Sequence, residues 1–291
     1  MTSFSSSSSH PTPWQIGDRV FLWGQRTYLM GVLNVTPDSF SDGGDFHNLD
    51  AALKQAQEMA AEGADLIDIG GQSTRPGAKE ISLAEELERV IPVVEQLHRQ
   101  LSIPISVDTT RTAVAEAAVA AGASIINDIS GGTFDPQMLS VVAKLGIPIV
   151  LMHVRGTPQT MQKLTNYQDL IGEIYQFLAS RVQAAIAAGI NRHQIAIDPG
   201  IGFAKTGEQN LEILRRLPIF RSLECPILVG PSRKSFIGKI LDRSEPKERV
   251  WGTAAACSAA IAGSADILRV HDIPEMRDVC QVADAIFREN N

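Results

Sequence analysis

The residues able to do chemistry stand at the ends of apolar runs. They are Asn34, Asp68, Asp108, Asn127 with Asp128, His153, Asp198, Ser232-Arg233-Lys234, and Arg269 with His271. They divide into two sets. Lys234, Arg269 and His271 gather cations in a chain whose formal net charge is −7, which points to a bound anionic group, Arg for a bidentate grip and Lys as a point charge. Arg233 is expected to point outward. Asp108, Asn127 and Asp198 form the second set. An unpaired carboxylate at a buried strand end costs several kcal/mol and needs donors. A flat heterocycle with an amino group beside a ring N–H offers two parallel ones, worth roughly 1.5 to 3 kcal/mol per charge-assisted bond. Asn127, which gives and accepts, suits the mixed edge of such a ring.

Simpler roles compete at single positions. Asn34 could tie down the turn Thr36-Pro37-Asp38, Asp128, Thr109, Thr110 and Ser232 could cap helices, Asp198 could pair with Lys234, and His271 could be a core histidine. All eight strand ends being polar argues against a purely local explanation. Neither H-E-x-x-H nor G-x-S-x-G occurs, and Cys225, Cys257 and Cys280 have no metal or redox spacing. Mg²⁺ needs no carboxylate cage, since it keeps waters and sits on one protein oxygen plus phosphate oxygens. Asn34 fits that role.

The elements that must position these residues follow a regular rhythm. Short Val- and Ile-rich runs alternate with segments of helical period, the pattern of repeated βα units. The runs are 28–35, 64–69, 103–107, 124–129, 147–152, 194–197, 226–229 and 265–270. Ser82 with Glu85 reads as a capping box, Asp135-Pro136 as a helix start, and Gly63, Gly122, Gly146 and Gly189 as helix ends. Eight strands with seven or eight helices predict an α/β fold, a (β/α)₈ TIM barrel, with its site at the C-terminal strand ends. The doubly wound alternative lacks G-x-G-x-x-G after the first strand. A β-hairpin from Trp14 to Trp23 is expected to plug one end. Residues 1–13 read as a disordered Ser/Pro-rich tail and 14–291 as one barrel domain.

An acidic chain with 44% hydrophobic and 20% charged residues is a globular protein with no general nucleic-acid or anionic-membrane surface. No run reaches the roughly 18 to 20 apolar residues of a membrane span. No signal-peptide centre is visible, and a transit peptide would carry arginines where none precedes Arg19. A cytoplasmic location is expected.

Eight motifs now stand in order: MGVLNVTPDSFSDGG from Met30, GGQSTRPG from Gly70, SVDTT from Ser106, INDISGG from Ile126, LMHVRGTPQTMQ from Leu151, DPGIGFAKT from Asp198, GPSRKSFIG from Gly230 and RVHD from Arg269. Together they closely resemble the dihydropteroate synthase family, from about Gly24 to the C-terminus. The resemblance implies a pterin-binding homodimer of the folate pathway. It would join 6-hydroxymethyl-7,8-dihydropterin diphosphate to 4-aminobenzoate with Mg²⁺, and sulfonamides would compete with the aminobenzoate. It further implies that Asp108, Asn127, Asp198 and Lys234 hold the pterin, with Met152 and Arg269 against its faces and Val270 among the substrate-binding residues. Asn34 would ligate Mg²⁺, while Arg269, His271 and the region of Arg75 meet the diphosphate. Thr74, Pro76, Phe203 and Ser232 would line the aminobenzoate pocket. Asp108, Lys234, Arg269 and His271 are the expected catalytic groups, and the loops after the first two barrel strands are expected lids. Gln72 and Ile201 depart from the family pattern, which implies tuned affinity rather than lost activity. A related barrel that presents methyl-tetrahydrofolate to a corrinoid protein shares the Asp and Asn logic but has no need of Arg75, Lys234, Arg269 and His271. A non-catalytic pterin-binding protein is the third possibility.

Overall fold

The computed structural model describes residues 11–36 and 45–288. The tail at 1–10 and the loop at 37–44, with its expected lid role, lie outside them, and residues 11–13 carry no regular structure. The hairpin is present as β1 (Trp14–Ile16) and β2 (Arg19–Phe21), paired antiparallel with Trp14 opposite Phe21.

Eight further strands form a parallel sheet: β3 (Tyr28–Asn34), β4 (Leu66–Gly70), β5 (Ile105–Asp108), β6 (Ile125–Asp128), β7 (Ile149–Met152), β8 (Ile195–Asp198), β9 (Leu228–Val229) and β10 (Ile267–Val270). Each strand pairs with its neighbour in chain order, β10 pairs with β3, and a bridge from Ile197 to Ile227 joins β8 to the lead of β9. The sheet is a closed (β/α)₈ barrel. All eight expected runs carry a strand. β9 is the shortest because Pro226 has no N–H to give to a ladder.

Side chains alternate across the strands with period two. Leu29, Ile67, Ile105, Ile126, Ile149, Ile195 and Leu268 join the main core with the helices, whereas Tyr28, Met30, Leu66, Ile125, Val150, Ala196 and Ile267 meet Trp14, Phe21 and Trp23 of the hairpin. Trp14 and Trp23 pack edge to face at 5.1 Å, and Trp23 meets Tyr28 at 5.5 Å. The hairpin therefore plugs the N-terminal end of the barrel, opposite the expected site.

The described helices are α1 (Asp45–Glu62), α2 (Leu83–Gln100), α3 (Thr112–Ala120), α4 (Met138–Leu145), α5 (Leu170–Ala187), α6 (Gly207–Arg215), α7 (Ser235–Leu241), α8 (Val250–Ala262) and α9 (Ile273–Phe287). The extra helix beyond expectation arises because two, α7 and α8, follow β9. A Cβ at Gly31 would lie 2.9 Å from Met59 Sδ, so α1 seats on β3 only where a side chain is missing.

Local expectations differ at four points. Ser82 caps α2 by accepting from Glu85 N, but Glu85 turns to Arg89 instead of completing the box. The complete box is Thr206 with Gln209, at the start of α6. Asp135 is not the cap residue of α4; its carboxylate accepts from Gln137 N and from Thr112 N, the first residue of α3, so it ties the start of α3 to the turn ahead of α4. Ser232 caps nothing: the residue before α7 is Lys234, without a side-chain cap bond.

Candidate functional site

Strand register brings the polar residues level with one another. Asn34 pairs with Gly70, Gly70 with Asp108, and Asp108 with Asn127, while Met152 pairs with Asp198. Gly70 supplies no side chain to this row. Its missing Cβ would sit 3.7 Å from Asp108 Cβ and 3.8 Å from Asn34 Oδ1, so a gap opens between the amide and the carboxylate.

Arg269, midway along β10, crosses the barrel mouth. Its Nε donates to Asp68 Oδ2 at 2.6 Å and its Nη2 to Asp108 Oδ2 at 3.0 Å. Asn127 Nδ2 donates to the same Asp68 oxygen at 3.0 Å. The amide of Asn127 thereby has its orientation fixed and its oxygen left to accept from a ligand. Asp68 is fully buried, and its Oδ1 has no partner among the described residues. Burial pushes the Asp108 carboxyl up to about 7, against the pull of Arg269 and with the help of Asp68. Burial works against the Arg269 charge, but Asp68 and Asp108 outweigh it and raise its pKa.

Asp198 accepts from Gly200 N at 2.7 Å, and burial lifts its pKa to about 6 despite that bond and the nearby Lys234. It forms no direct ion pair with Lys234, so the purely structural pairing is not what is found. The Lys234 ammonium instead lies 4.3 Å over the Phe203 ring. Its stem runs where a side chain on Gly202 would be, 2.9 Å from that missing Cβ. Burial and Arg269 bring Lys234 down to about 8, with Asp198 and Asp108 opposing.

Ser232 Oγ lies 2.9 Å from His271 Nδ1 and accepts from His271 N at 3.2 Å. The hydroxyl proton is then free for Nδ1, which leaves Nε2 as the N–H. Burial, with Arg233 and Arg269 nearby, holds His271 down at about 3. His271 is thus a neutral donor, not the third cation that the sequence suggested. Arg233 pairs with Asp272 at 3.1 Å, so its charge is already matched beside His271.

Among the described residues, no three His, Cys, Asp or Glu side chains could enclose a metal ion. Asn34 Oδ1 stands at the Gly70 gap beside Asp108, and the Asn34 amide bonds to no described residue. A lone hard oxygen facing an open gap fits an ion that takes most of its ligands from phosphate and water.

The model of the family described as pterin binding enzyme matches residues 30–271. Over 282 residues the chain is 59% identical to the dihydropteroate synthase of a Synechocystis species, covering 97% of this chain and 98% of that protein. It belongs to the dihydropteroate synthase family. The crystal structure of a Clostridium difficile member in the presence of pteroic acid superposes with a TM-score of 0.88 at 46% identity, over 92% of this chain and 100% of that one. A Xanthomonas albilineans member in complex with 7,8-dihydropteroate gives 0.85 at 41% identity, over 94% and 98%. The chain is a transferase of folate synthesis, and the corrinoid alternative falls away.

Other residues expected of a dihydropteroate synthase site border the cluster just described or stand on the loops around it. Thr74 borders an open cleft with Gln72, Asp108, Thr109, Phe134 and Pro158. Arg75 and Pro76 are exposed, and the Arg75 side chain bonds to no described residue. Gly77 N donates to Pro158 O at 3.0 Å, tethering this loop to the loop after β7. Met152, Ile129 and Phe203 share a small apolar cluster near the mouth, and Val270 is fully buried in the main core. Gln72 accepts weakly from Ile81 N at 3.4 Å, and Ile201 is buried in the main core. Asp68 stood among the strand-end residues of the sequence but was assigned to neither of the two sets. Phe134, an exposed aromatic on the cleft, was missed and gives no signal in the sequence.

Proposed function

We propose that the strand-end cluster of this dihydropteroate synthase binds 6-hydroxymethyl-7,8-dihydropterin diphosphate and joins its methylene carbon to the amine of 4-aminobenzoate, releasing diphosphate. The observation that carries this is the Arg269 bridge between Asp68 and Asp108. It holds the Asn127 oxygen and the Asp108 carboxylate ready for a heterocycle whose amino and ring N–H groups face them, and Asp198 takes donors on the far side. Lys234 meets the ring system and Met152 covers one face. Arg269 Nη1, unused by Asp68 and Asp108, and the Nε2–H of His271 are the groups left to meet the diphosphate, with Arg75 reaching them from its loop.

As the C–O bond breaks, charge grows on the departing diphosphate, and Arg269 with the neutral His271 donates to it. Positive charge grows on the pterin side, where the Asp108 carboxylate favours it. The aryl amine forms the C–N bond and loses its proton to solvent or to the released diphosphate. Thr74, Pro76, Phe203 and Ser232 orient the aminobenzoate. Mg²⁺, held by Asn34 beside the diphosphate, would neutralise the leaving oxygens. Purified protein should release diphosphate only when 4-aminobenzoate is present. Asn34→Ala should raise the Mg²⁺ concentration for half-maximal rate by on the order of tenfold. Release independent of aminobenzoate would refute the transferase chemistry, and an unchanged Mg²⁺ requirement would refute the role of Asn34.

Residues 14–291 are read as one domain and the protein as a cytoplasmic homodimer. No helix among the described residues is long and apolar enough to cross a membrane. Ile240 on α7, Trp251 on α8 and Val282 and Ile286 on α9 are 61%, 76%, 62% and 66% exposed. An apolar surface of this kind on three neighbouring helices fits a second copy of the chain. Sedimentation should show the wild type as a dimer and Trp251→Glu shifted at least tenfold toward monomer; equal masses at all concentrations would remove these helices from the interface.

A further inference from the structure

The loop from Asp198 to Thr206 winds around a buried ammonium group that has no task in the scheme above. Lys205 is 3% exposed, and no carboxylate among the described residues pairs with it. Its Nζ donates to the Phe203 carbonyl at 2.8 Å and lies 3.1 Å from His153 Nδ1. Burial, then the charges of Lys205 and Arg155, holds His153 far below the ordinary imidazole range. The ring is neutral, and Nδ1 is its acceptor.

Three residues with positive φ bend the loop around this group: Gly200 at 76°, Gly202 at 83° and Ala204 at 51°. A Cβ at Gly200 would stand 2.0 Å from the His153 carbonyl oxygen and 3.2 Å from Lys205 Nζ. Only glycine lets the chain pass so close. The same Gly200 donates its N–H to Asp198, and Tyr167 Oη donates to the Ala204 carbonyl at 3.0 Å from the other side. A buried cation with no direct ion pair costs several kcal/mol, and an apolar side chain of similar length would fill the space without that cost.

We propose that Lys205 is a positioning residue for the pterin pocket. From inside the loop it fixes Phe203 and the Gly200 N–H, and its charge keeps Asp198 ionised for the donor edge of the heterocycle. This rests on Asp198 being a pterin-binding residue. The charged groups facing Asp198 are Lys234, Lys205 and Arg269; those facing Lys205 are Asp198, Lys234 and Arg155, with neutral His153. Burial lowers Lys205 to about 7, with Asp198 pulling the other way.

The test compares wild type, Lys205→Met and Lys205→Gln by steady-state kinetics and by calorimetric binding of 6-hydroxymethylpterin between pH 5 and 8. In Lys205→Met the KM values for the pterin diphosphate and, through Phe203, for 4-aminobenzoate should both rise roughly tenfold, and the acid limb of pterin binding should move up by about one pH unit as Asp198 loses a neighbouring cation. Lys205→Gln, which can still donate to the Phe203 carbonyl, should recover the KM for 4-aminobenzoate but keep the displaced acid limb. A folded Lys205→Met protein with an unmoved acid limb and unchanged pterin KM would overturn the proposal. Failure of both variants to fold would also overturn it, leaving a purely structural lysine. Wild type that binds pterin but shows no aminobenzoate-dependent turnover would instead count against the enzyme reading, while the shift in the acid limb still decides the role of Lys205.

Discussion

Arg269→Ala is expected to lower kcat/KM by roughly three orders of magnitude, the scale of losing a preorganised donor to a developing charge. It should also destabilise the fold by about 3 to 5 kcal/mol, because removing one partner of a buried ion pair strands the other. Here two are stranded: Asp68, whose second oxygen has no partner among the described residues, and Asp108. Arg269→Lys should recover little, since one ammonium cannot span both carboxylates at 2.6 and 3.0 Å in the guanidinium's fixed fork. Stability and chemistry separate in Arg269→Ala with Asp68→Asn. The double variant should regain much of the lost stability in urea titrations and almost none of the turnover. If instead Arg269→Ala turns over at near wild-type rate, the guanidinium only holds acids together.

Asp198→Asn should weaken pterin binding by roughly a hundredfold, since an amide replaces a charge-assisted acceptor and turns an N–H toward a ring donor. The same substitution should stabilise the empty protein by up to about 2 kcal/mol. Burial raises the folded pKa of Asp198 to about 6 from 3.8. The folded state therefore binds the proton more tightly than the unfolded one, so its contribution to stability falls as pH rises from about 4 to 6 and stays low above that. Asn imitates the protonated form and still accepts from Gly200. Wild-type pterin affinity should run in the opposite sense, falling as pH drops through about 6. Thermal melts and calorimetry across pH 4 to 8 read both; a destabilised Asp198→Asn protein would mean that the carboxylate serves the fold.

The barrel was legible in the sequence because its signals are local. The barrel strands lie in largely buried apolar runs, and α1, α3, α4 and α5 each end at a glycine with positive φ, Gly63, Gly122, Gly146 and Gly189. Strand ends were legible too, since Asp108, Asn127 and Asp198 interrupt apolar stretches. Partnerships were not. That Arg269 spends two donors on Asp68 and Asp108 depends on strands 161 and 201 residues apart. That His271 is neutral depends on burial and on Arg233 and Arg269 nearby. Ser82-Glu85 had the letters of a capping box, but Arg89 one turn on competes for the carboxylate.

The aromatic hairpin closes the end of the barrel farthest from the reacting atoms. Trp14, Phe21 and Trp23 hold one another and the first residues of the strands, while Asp68, Asp108, Asp198 and Lys205 hold unfavourable charge at the other end. Thermal robustness and variability of the ligand-facing rim can therefore be tuned at opposite poles. Substitutions that loosen the ligand-facing rim have a distant reservoir for compensation, and a second mutation around Trp14 or Trp23 can restore the lost stability without touching a substrate contact.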